Sequence, residues 1–294
     1  MWRVVVSRGP TLYEITIPLS EARCVLRFLE PSGTCATTLW ERLNAGTYDK
    51  PFVVDNGMRR FLHFDLDHTQ SVMSIGYPDR LSLAYTRMMM AFLVFNRSPQ
   101  RILLLGLGGG SLAKFCYRRL PASAITAIEV DPHVIALREQ FCVPKDDERF
   151  RVIRADGSRY VAIPGHRKDV ILADACDREG IAPELDDIEF YRSTWRRLTD
   201  GGVFVLNLCG DRSRWLSHLA KLRSTFGERF MTLSARDDSN VIVLALKQPP
   251  LEVPWEELER AGRTLITHFG LDFPRYVRRM ALDWKFRRWQ TVPA

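Results

Sequence analysis

Short apolar runs alternate with amphipathic stretches through the middle and later parts of the chain. Apolar residues recur at helical spacing between the runs, as in 112–120 and 212–226. Strands that alternate with helices form a parallel sheet covered on both faces. We therefore predict an α/β fold with a doubly wound, mostly parallel seven-stranded sheet. Its predicted strands are 101–105, 124–129, 151–155, 169–173, 203–208 and a closing antiparallel pair, 230–234 and 240–246.

The chain on either side of this region has a different pattern. Residues 50–67 contain Asn56-Gly57 between two apolar runs, which predicts a β-hairpin. Residues 20–29 and 37–43 are compatible with short helices. Three prolines between 249 and 254 precede a helical pattern that continues to Trp289. The predicted organisation is an N-terminal β-rich domain (1–80), a nucleotide-binding catalytic domain (81–248) and a basic helical extension (249–294).

Glycines or carboxylates follow four of the predicted parallel strands. The carboxyl ends of parallel strands meet at one edge of the sheet, where such folds bind their ligands. Glycines allow the backbone to approach a ligand, and a carboxylate after the second strand can accept hydrogen bonds from ribose hydroxyls. The sequence therefore predicts a site for an adenosyl nucleotide. Its candidate residues are Gly106, Gly108, Gly110, Ser111, Glu129, Asp156, Gly157, Asp174 and Asp177.

Each of these residues also has a purely structural interpretation. A carboxylate after a strand often caps the next helix, and we favour that role for Asp131 because Pro132 follows it. For Glu129 we favour ribose contact. For Asp156 nucleotide contact competes with turn formation, because Asp-Gly is a common turn. Asp174 can be a catalyst or a cap, and Ser111 can simply cap the helix that follows.

Composition and charge exclude several classes of protein. The 294 residues are 46% hydrophobic and 26% charged, as in ordinary globular proteins, and no apolar stretch approaches the ~20 residues of a membrane span. We predict a cytoplasmic protein. The six cysteines form no Cys-x-x-Cys pair, which favours reduced thiols and no metal site. Much of the net charge of +7 falls near the C-terminus, so a nucleic-acid partner is not expected.

Four motifs resemble those of the spermidine synthase family, which are aminopropyltransferases built on the methyltransferase-like Rossmann fold. They are LGLGGGSL (105–112), IEVD (128–131), ADG (155–157) and DACD (174–177). The resemblance implies decarboxylated S-adenosylmethionine as donor, an amine as acceptor and a homodimer. It implies that Gln70 lies beside the active site at the end of the β-domain. It also implies that Asp174 and Asp177 handle the amine and that Tyr85 lines the acceptor pocket.

Three positions depart from the family pattern. Ser111 replaces an aspartate that would repel the carboxylate of S-adenosylmethionine. Two like charges near 4 Å at a partly solvated site interact by roughly 4 kcal/mol, or roughly a thousandfold in affinity. Arg87 replaces a glutamate of the acceptor pocket, and Arg178-Glu179-Gly180 replaces a proline and a glycine. Ser111 weakens the expected discrimination against S-adenosylmethionine. If the Arg87 side chain points into the pocket, it would repel a diamine and attract an acceptor that bears an acid group.

The leading hypothesis is therefore transfer of an aminopropyl group to an amine. Asp174 would take the proton of the attacking amine, Tyr85 would orient it, and Asp177 would hold the other end of the acceptor. The first alternative is a methyltransferase that uses S-adenosylmethionine, which Ser111 and Arg87 favour. The second is a catalytically degenerate protein that binds a nucleotide or a partner. The basic stretch 275–289 is predicted to dock on the parent domain or on a second subunit.

Overall fold

The computed structural model describes residues 12–19, 22–31, 33–177, 180–210, 212–234, 240–248 and 252–290. The chain divides into two compact units. The first contains Met1–Leu83, Leu107–Phe115 and Asp131–Pro144, and the second contains Ala84–Gly106, Cys116–Val130 and Lys145–Ala294.

The first unit contains a five-stranded antiparallel sheet in the order β1-β2-β3-β4-β5. Its elements are β1 (Leu12–Leu19), β2 (Ala22–Leu29), α1 (Ala36–Asn44), β3 (Phe52–Asp55), β4 (Arg59–His63) and β5 (Thr69–Ser74). The predicted hairpin is confirmed: the Asn56 side chain accepts a hydrogen bond from the amide of Arg59 at 2.8 Å and closes the turn. The helix expected over 37–43 is present as α1.

The helix considered for residues 20–29 is wrong, because 22–29 form β2. Cys24, Leu26 and Phe28 are buried, and the intervening residues are partly exposed. This alternation has the period of a strand with one covered face. Phe28 stacks on Phe52 with ring centroids 5.6 Å apart. The aromatic core of the sheet therefore decides the conformation of this segment.

The second unit contains the predicted sheet, which confirms the α/β, mostly parallel seven-stranded fold. Its strand order is β13-β14-β12-β9-β6-β7-β8, in which β14 runs antiparallel to both of its neighbours. The strands are β6 (Arg101–Leu105), β7 (Ala124–Glu129), β8 (Phe150–Arg154), β9 (Lys168–Ala173), β12 (Leu198–Leu208), β13 (Phe230–Ser234) and β14 (Val241–Leu246). A separate two-stranded pair, β10 (Cys176–Asp177) and β11 (Gly180–Ile181), follows β9.

Helices precede or separate these strands along the chain, and residues 111–115 and 132–136 of these helices belong to the first unit. They are α2 (Ala84–Met89), α3 (Ser111–Arg119), α4 (Pro132–Ala136), α5 (Gly157–Ala162), α6 (Ile188–Arg197) and α7 (Arg212–Phe226). Ile171, Phe204 and Leu206 are fully buried in the core. The core fixes the strand ends from which the functional side chains project.

Two further helices, α8 (Trp255–Phe269) and α9 (Phe273–Gln290), form the C-terminal part of the second unit. Within the basic stretch, the apolar residues Val277, Met280 and Trp284 are buried. The Asp283 carboxylate accepts a hydrogen bond from the backbone amide of Thr232 on the edge strand β13 at 2.9 Å. The extension therefore docks on its own unit. None of the helices within the described ranges is long and apolar enough to cross a membrane.

Candidate active site

Gly106 ends β6 in a conformation that requires glycine. Its φ is +94°, and a Cβ at this position would lie 2.2 Å from the carbonyl oxygen of Asp174. The amide of Gly106 donates to the carbonyl of Ile128 at 2.9 Å, and the amide of Asp174 donates to the carbonyl of Leu105 at 2.8 Å. The ends of β6, β7 and β9 are therefore held together by backbone contacts that leave no space for a side chain at Gly106.

Asp174 is the centre of a hydrogen-bond network at the end of β9. Its Oδ2 accepts from the Tyr85 hydroxyl at 3.3 Å, and its Oδ1 accepts from Asn207 Nδ2 at 2.8 Å. Asn207 Oδ1 in turn accepts from Asn240 Nδ2 at 2.8 Å. The contact with Asn240 orients the Asn207 amide, so that its NH₂ group points at Asp174. Both carboxylate oxygens of Asp174 are thus positioned by donors from other elements.

The electrostatic balance at Asp174 favours proton binding. Burial raises the pKa of Asp174, and the hydrogen bonds from Asn207 and Tyr85 lower it by less than burial raises it. The net pKa lies above the usual value of an aspartate. A carboxylate with a raised pKa is a better proton acceptor for a reacting group. The hydrogen bond between Tyr85 and Asp174 brings together two of the predicted catalytic residues.

The third predicted catalytic residue, Asp177, is described only by its backbone. It pairs with Gly180 in the two-stranded β10–β11 element. Its side chain lies outside the described residues, so its amine-binding role stays a prediction. The segment of interest for function is thus Asp174–Asp177, between β9 and β11.

Arg87 lies near the phenol of Tyr276 on α9. Burial raises the pKa of Tyr276, and the charge of Arg87 acts against this rise. Arg87 and Tyr85 are two residues apart on α2, and residues at that spacing do not share a helix face. Tyr85 donates to Asp174, and the effect of Arg87 on the acceptor stays a prediction.

Three further predicted donor residues of the second unit, Glu129, Asp156 and Gly157, lie at the end of β7 or just after β8. The backbone carbonyl of Glu129 accepts from the amide of Ala155 at 3.1 Å, which joins these two strand ends. The Asp156 side chain accepts from the Arg159 amide at 3.0 Å and from the Ser158 hydroxyl at 2.7 Å. Burial raises the pKa of Asp156, but these hydrogen bonds outweigh it and the net pKa is lowered. Asp156 thus caps α5 as a carboxylate, with Gly157 as the first residue of the helix.

In the first unit, Gln70 is the extra residue of a β-bulge in β5. Thr69 pairs with His63 and Ser71 pairs with Leu62, so Gln70 has no opposite partner in the ladder. Bulges of this kind change the direction of a side chain and are frequent beside active sites. The position of Gln70 therefore suits a residue presented for contact with a ligand.

The glycine turn also has neighbours within the first unit. Ser111 is the first residue of α3, and its Oγ lies 3.4 Å from Ser71 Oγ. A Cβ at Gly110 would lie 2.4 Å from the Val143 side chain, whereas a Cβ at Gly108 would meet no atom within 4 Å. Gly110 is thus required for packing, and Gly108 leaves open space. Asp131 accepts from the amide of His133 at 2.7 Å and confirms the predicted helix cap.

Comparison with known proteins places this arrangement in a family. A polyamine aminopropyltransferase of Neisseria meningitidis is 36% identical over 225 residues, which cover 76% of this chain and 86% of that protein. A family model described as the spermine/spermidine synthase domain matches residues 82–219. The chain belongs to the spermine/spermidine synthase family. The resemblance predicted from the four motifs is confirmed.

Two further similarities concern the fold and the relation to methyltransferases. The crystal structure of a probable spermidine synthase from Corynebacterium glutamicum aligns with a TM-score of 0.57 at 20% identity, covering 84% of this chain and 86% of that one. The human eEF1A lysine and N-terminal methyltransferase is 34% identical over 141 residues, 44% of this chain and 20% of that protein. The spermine/spermidine synthase fold thus extends over most of the chain.

The expectation that the cysteines are reduced thiols is wrong for one pair. Cys176 and Cys209 form a disulfide, with Cα atoms 6.5 Å apart and a sequence separation of 33. Their pairing follows from the register of β9 and β12, which the spacing of cysteines in the sequence does not reveal. The remaining four cysteines are free. Within the described ranges no group of three or more His, Cys, Asp or Glu side chains could hold a metal ion.

Asn207 is the functional candidate that the sequence analysis missed. It lies inside the apolar strand β12 and is 2% exposed. A polar residue buried in a central strand needs hydrogen-bond partners. A single asparagine within an apolar strand is therefore the sequence signal that points to a functional contact at Asn207. Only the parallel register of β9 and β12, with Ala173 opposite Leu206, places Asn207 beside Asp174.

We expect Asn207→Leu to move the acidic limb of the pH–rate profile to higher pH. The Asn207 hydrogen bond lowers the pKa of Asp174, so its loss raises that pKa further. Leucine has a similar volume and keeps β12 packed. The measurement is kcat against pH for the wild type, Asn207→Leu and Tyr85→Phe, since the tyrosine variant also removes one donor. Unshifted limbs in both variants would contradict the network described for Asp174.

Proposed function

We propose that this protein transfers the aminopropyl group of decarboxylated S-adenosylmethionine to an amine acceptor. The observation that carries the proposal is Asp174, held by Tyr85 and Asn207 at the carboxyl end of β9 in a spermine/spermidine synthase chain. Membership of this family makes the protein an alkyl-group transferase rather than a degenerate binding protein.

The reaction is an in-line displacement at the carbon next to the sulfonium. The lone pair of the uncharged amine nitrogen forms the new C–N bond, and the C–S bond breaks with its electron pair on sulfur, which leaves as a neutral thioether. The amine proton passes to Asp174, whose raised pKa suits it for this role. Tyr85 orients the attacking nitrogen, and Asp177 holds the other end of the acceptor. Positioning supplies much of the rate because the sulfonium is already activated.

We assign donor binding to the residues predicted from the family motifs. Glu129 would accept from the ribose hydroxyls, and Asp156 and Gly157 would contact the base. Gly106, Gly108, Gly110 and Ser111 would approach the nucleoside through the backbone, and Gln70 would contact the donor from β5. The bulge at Gln70 and the positive φ values of the three glycines support these assignments.

Calorimetric titration with decarboxylated S-adenosylmethionine and, separately, with S-adenosylmethionine tests the donor. We expect tighter binding of the decarboxylated compound. Glu129→Gln should weaken binding by about 1.5–3 kcal/mol, the usual contribution of a hydrogen bond to a charged group. Mass spectrometry of the product formed from an aliphatic diamine identifies the transferred group. Tighter binding of S-adenosylmethionine together with a methylated product would reject aminopropyl transfer.

The second candidate is methyl transfer from S-adenosylmethionine. Ser111 favours it, because serine at this position removes the carboxylate that would repel the intact donor. The similarity to the human methyltransferase points the same way over a smaller part of the chain. We also propose that the protein is cytoplasmic, forms a homodimer and does not bind nucleic acid. Sedimentation of the full chain measures the oligomeric state directly.

A further inference from the structure

The Cys176–Cys209 disulfide continues the register that forms the catalytic network. β9 and β12 are parallel, and Ala173 lies opposite Leu206. One step further along both strands places Asp174 opposite Asn207, which are joined by a 2.8 Å hydrogen bond. Two more steps place Cys176 opposite Cys209, which are joined covalently. The disulfide and the Asp174–Asn207 pair are thus successive links between the same two chain segments.

The disulfide is in direct contact with the catalytic network. Asn207 Nδ2, which donates to Asp174, lies 3.6 Å from the sulfur of Cys176. Cys176 also falls between Asp174 and Asp177 in sequence, so the bond restrains the segment that carries both predicted amine-binding carboxylates. On the other side, the carbonyl of Cys209 accepts from Trp215 Nε1 at 3.3 Å, which joins it to α7. The restraint is therefore anchored in a packed part of the unit.

Both bonded cysteines are half-buried rather than fully buried. Two of the free cysteines, Cys24 and Cys116, are buried. Disulfides in reducing compartments are mostly transient or redox-sensing, and accessible ones are the more labile. A bond between the two segments that hold a catalytic aspartate is well placed to change activity when it breaks.

We propose that Cys176 and Cys209 form a reversible redox modification site that fastens Asp174–Asp177 to the end of β12. The effect on catalysis rests on the proposed aminopropyl transfer. The oxidised state holds the acceptor-binding segment in place before the amine arrives. The reduced state leaves it held by hydrogen bonds alone, so binding of the acceptor must order it.

The exchange needs a disulfide of low molecular mass, for which we name glutathione disulfide. One cysteine thiolate attacks it, forms a mixed disulfide and releases one glutathione thiolate. The second cysteine thiolate attacks the protein sulfur of the mixed disulfide, forms the Cys176–Cys209 bond and releases the second glutathione thiolate. Two protein thiols are oxidised, one glutathione disulfide is reduced, and the two protons end on two glutathione thiols. Excess glutathione reverses both steps.

The test is a redox titration of the full chain in a Cys35→Ser/Cys142→Ser background, which removes the two exposed free thiols. Samples equilibrated at different ratios of reduced to oxidised glutathione are measured for thiol content by alkylation and mass spectrometry. Hydrogen exchange of the amides in 174–177 and the KM for an aliphatic diamine are measured on the same samples. On reduction we expect two additional thiols, faster exchange and a rise in KM of about tenfold.

Cys209→Ser in the same background is the matched control, because it removes the disulfide without substituting any residue of the Asp174–Asp177 segment. We expect it to have the exchange rate and KM of the reduced protein at every glutathione ratio. The donor affinity should change little, since Gln70, Glu129 and Asp156 lie outside the Asp174–Asp177 segment. A binding titration with decarboxylated S-adenosylmethionine therefore separates a local effect from misfolding.

The outcomes distinguish this inference from the proposed function. If the bond forms at no glutathione ratio, or if it forms without changing exchange in 174–177, the redox site is overturned. If exchange changes but KM does not, its catalytic role is overturned. If exchange changes with the bond while no aminopropyl product forms in either state, the restraint is supported and the proposed function fails.

Discussion

Asp174→Asn is expected to lower kcat by about 10²–10⁴-fold, the usual contribution of a positioned proton acceptor. Asparagine keeps the shape of the side chain and its oxygen can still accept from Asn207. It cannot take the proton of the attacking amine. The measurement is steady-state kinetics with decarboxylated S-adenosylmethionine and a diamine, together with the donor Kd, which should change little.

Asp169→Asn is the matched control for this substitution. Asp169 lies at the opposite end of β9 and accepts hydrogen bonds from the backbone amides of Gln100 and Arg101 at 2.7 and 2.9 Å. Its replacement should affect stability and leave kcat unchanged. Equal losses of kcat in both variants would mean that Asp174 acts through the fold rather than through proton transfer.

The same Asp174 substitution should change stability in a pH-dependent way. The pKa of Asp174 is raised in the folded protein, so the unfolded chain loses this proton at lower pH. Below the unfolded pKa of about 3.9 both states are protonated and the charge has no effect. Above the raised native pKa the wild type buries a charge that asparagine lacks. Asp174→Asn should therefore raise Tm at pH values above the native pKa, and this advantage should be lost as the pH falls from the native pKa to the unfolded one.

Gly106→Ala is expected to destabilise the protein by about 3 kcal/mol or more, from left-handed strain and overpacking together. The added Cβ would lie 2.2 Å from the Asp174 carbonyl oxygen and 2.9 Å from its carbonyl carbon. Both are backbone atoms, so the strand end that carries Asp174 must move. A displacement of about 1 Å can reduce the rate by about 10²-fold. Denaturant unfolding and kcat measure the two effects.

Gly201→Ala separates the cost of the left-handed backbone conformation from the cost of the steric overlap with Asp174. Gly201 also has a positive φ, +76°, but a Cβ there would meet no atom within 4 Å. Its substitution should cost only about 1–2 kcal/mol, the penalty for a side chain in this conformation. If Gly106→Ala and Gly201→Ala lower the free energy of unfolding equally, overlap with Asp174 is not the cause of the loss in Gly106→Ala.

The sequence predicts what depends on local patterns and strand polarity. The seven strands, the hairpin at Asn56-Gly57 and the cap at Asp131 each follow from a few neighbouring residues. β2 was ambiguous because its alternation is short and the residues that cover its buried face are distant in sequence. The domain boundaries at 80 and 248 and the donor roles stay predictions.

The contacts of the candidate site are harder to predict from the sequence because they depend on the register of β9 and β12. Asp174 and Tyr85 follow from the family motif, but the contact of Asp174 with Asn207 requires knowing that Ala173 lies opposite Leu206. The disulfide depends on the same register. The charge of Arg87 on α2 acts on Tyr276 on α9, a relation between distant parts of the chain that no motif encodes.

The two side chains that α9 places on β13 also affect how the protein can associate. An edge strand offers unpaired amides and carbonyls to any other strand, which promotes sheet extension and aggregation. Asp283 occupies the Thr232 amide, and the Arg279 side chain donates to the Ser234 carbonyl. A protein truncated after residue 248 would present these groups to other chains. By covering these groups, the basic C-terminal helix protects the edge strand from pairing with strands of other chains. This role concerns solubility and is separate from catalysis.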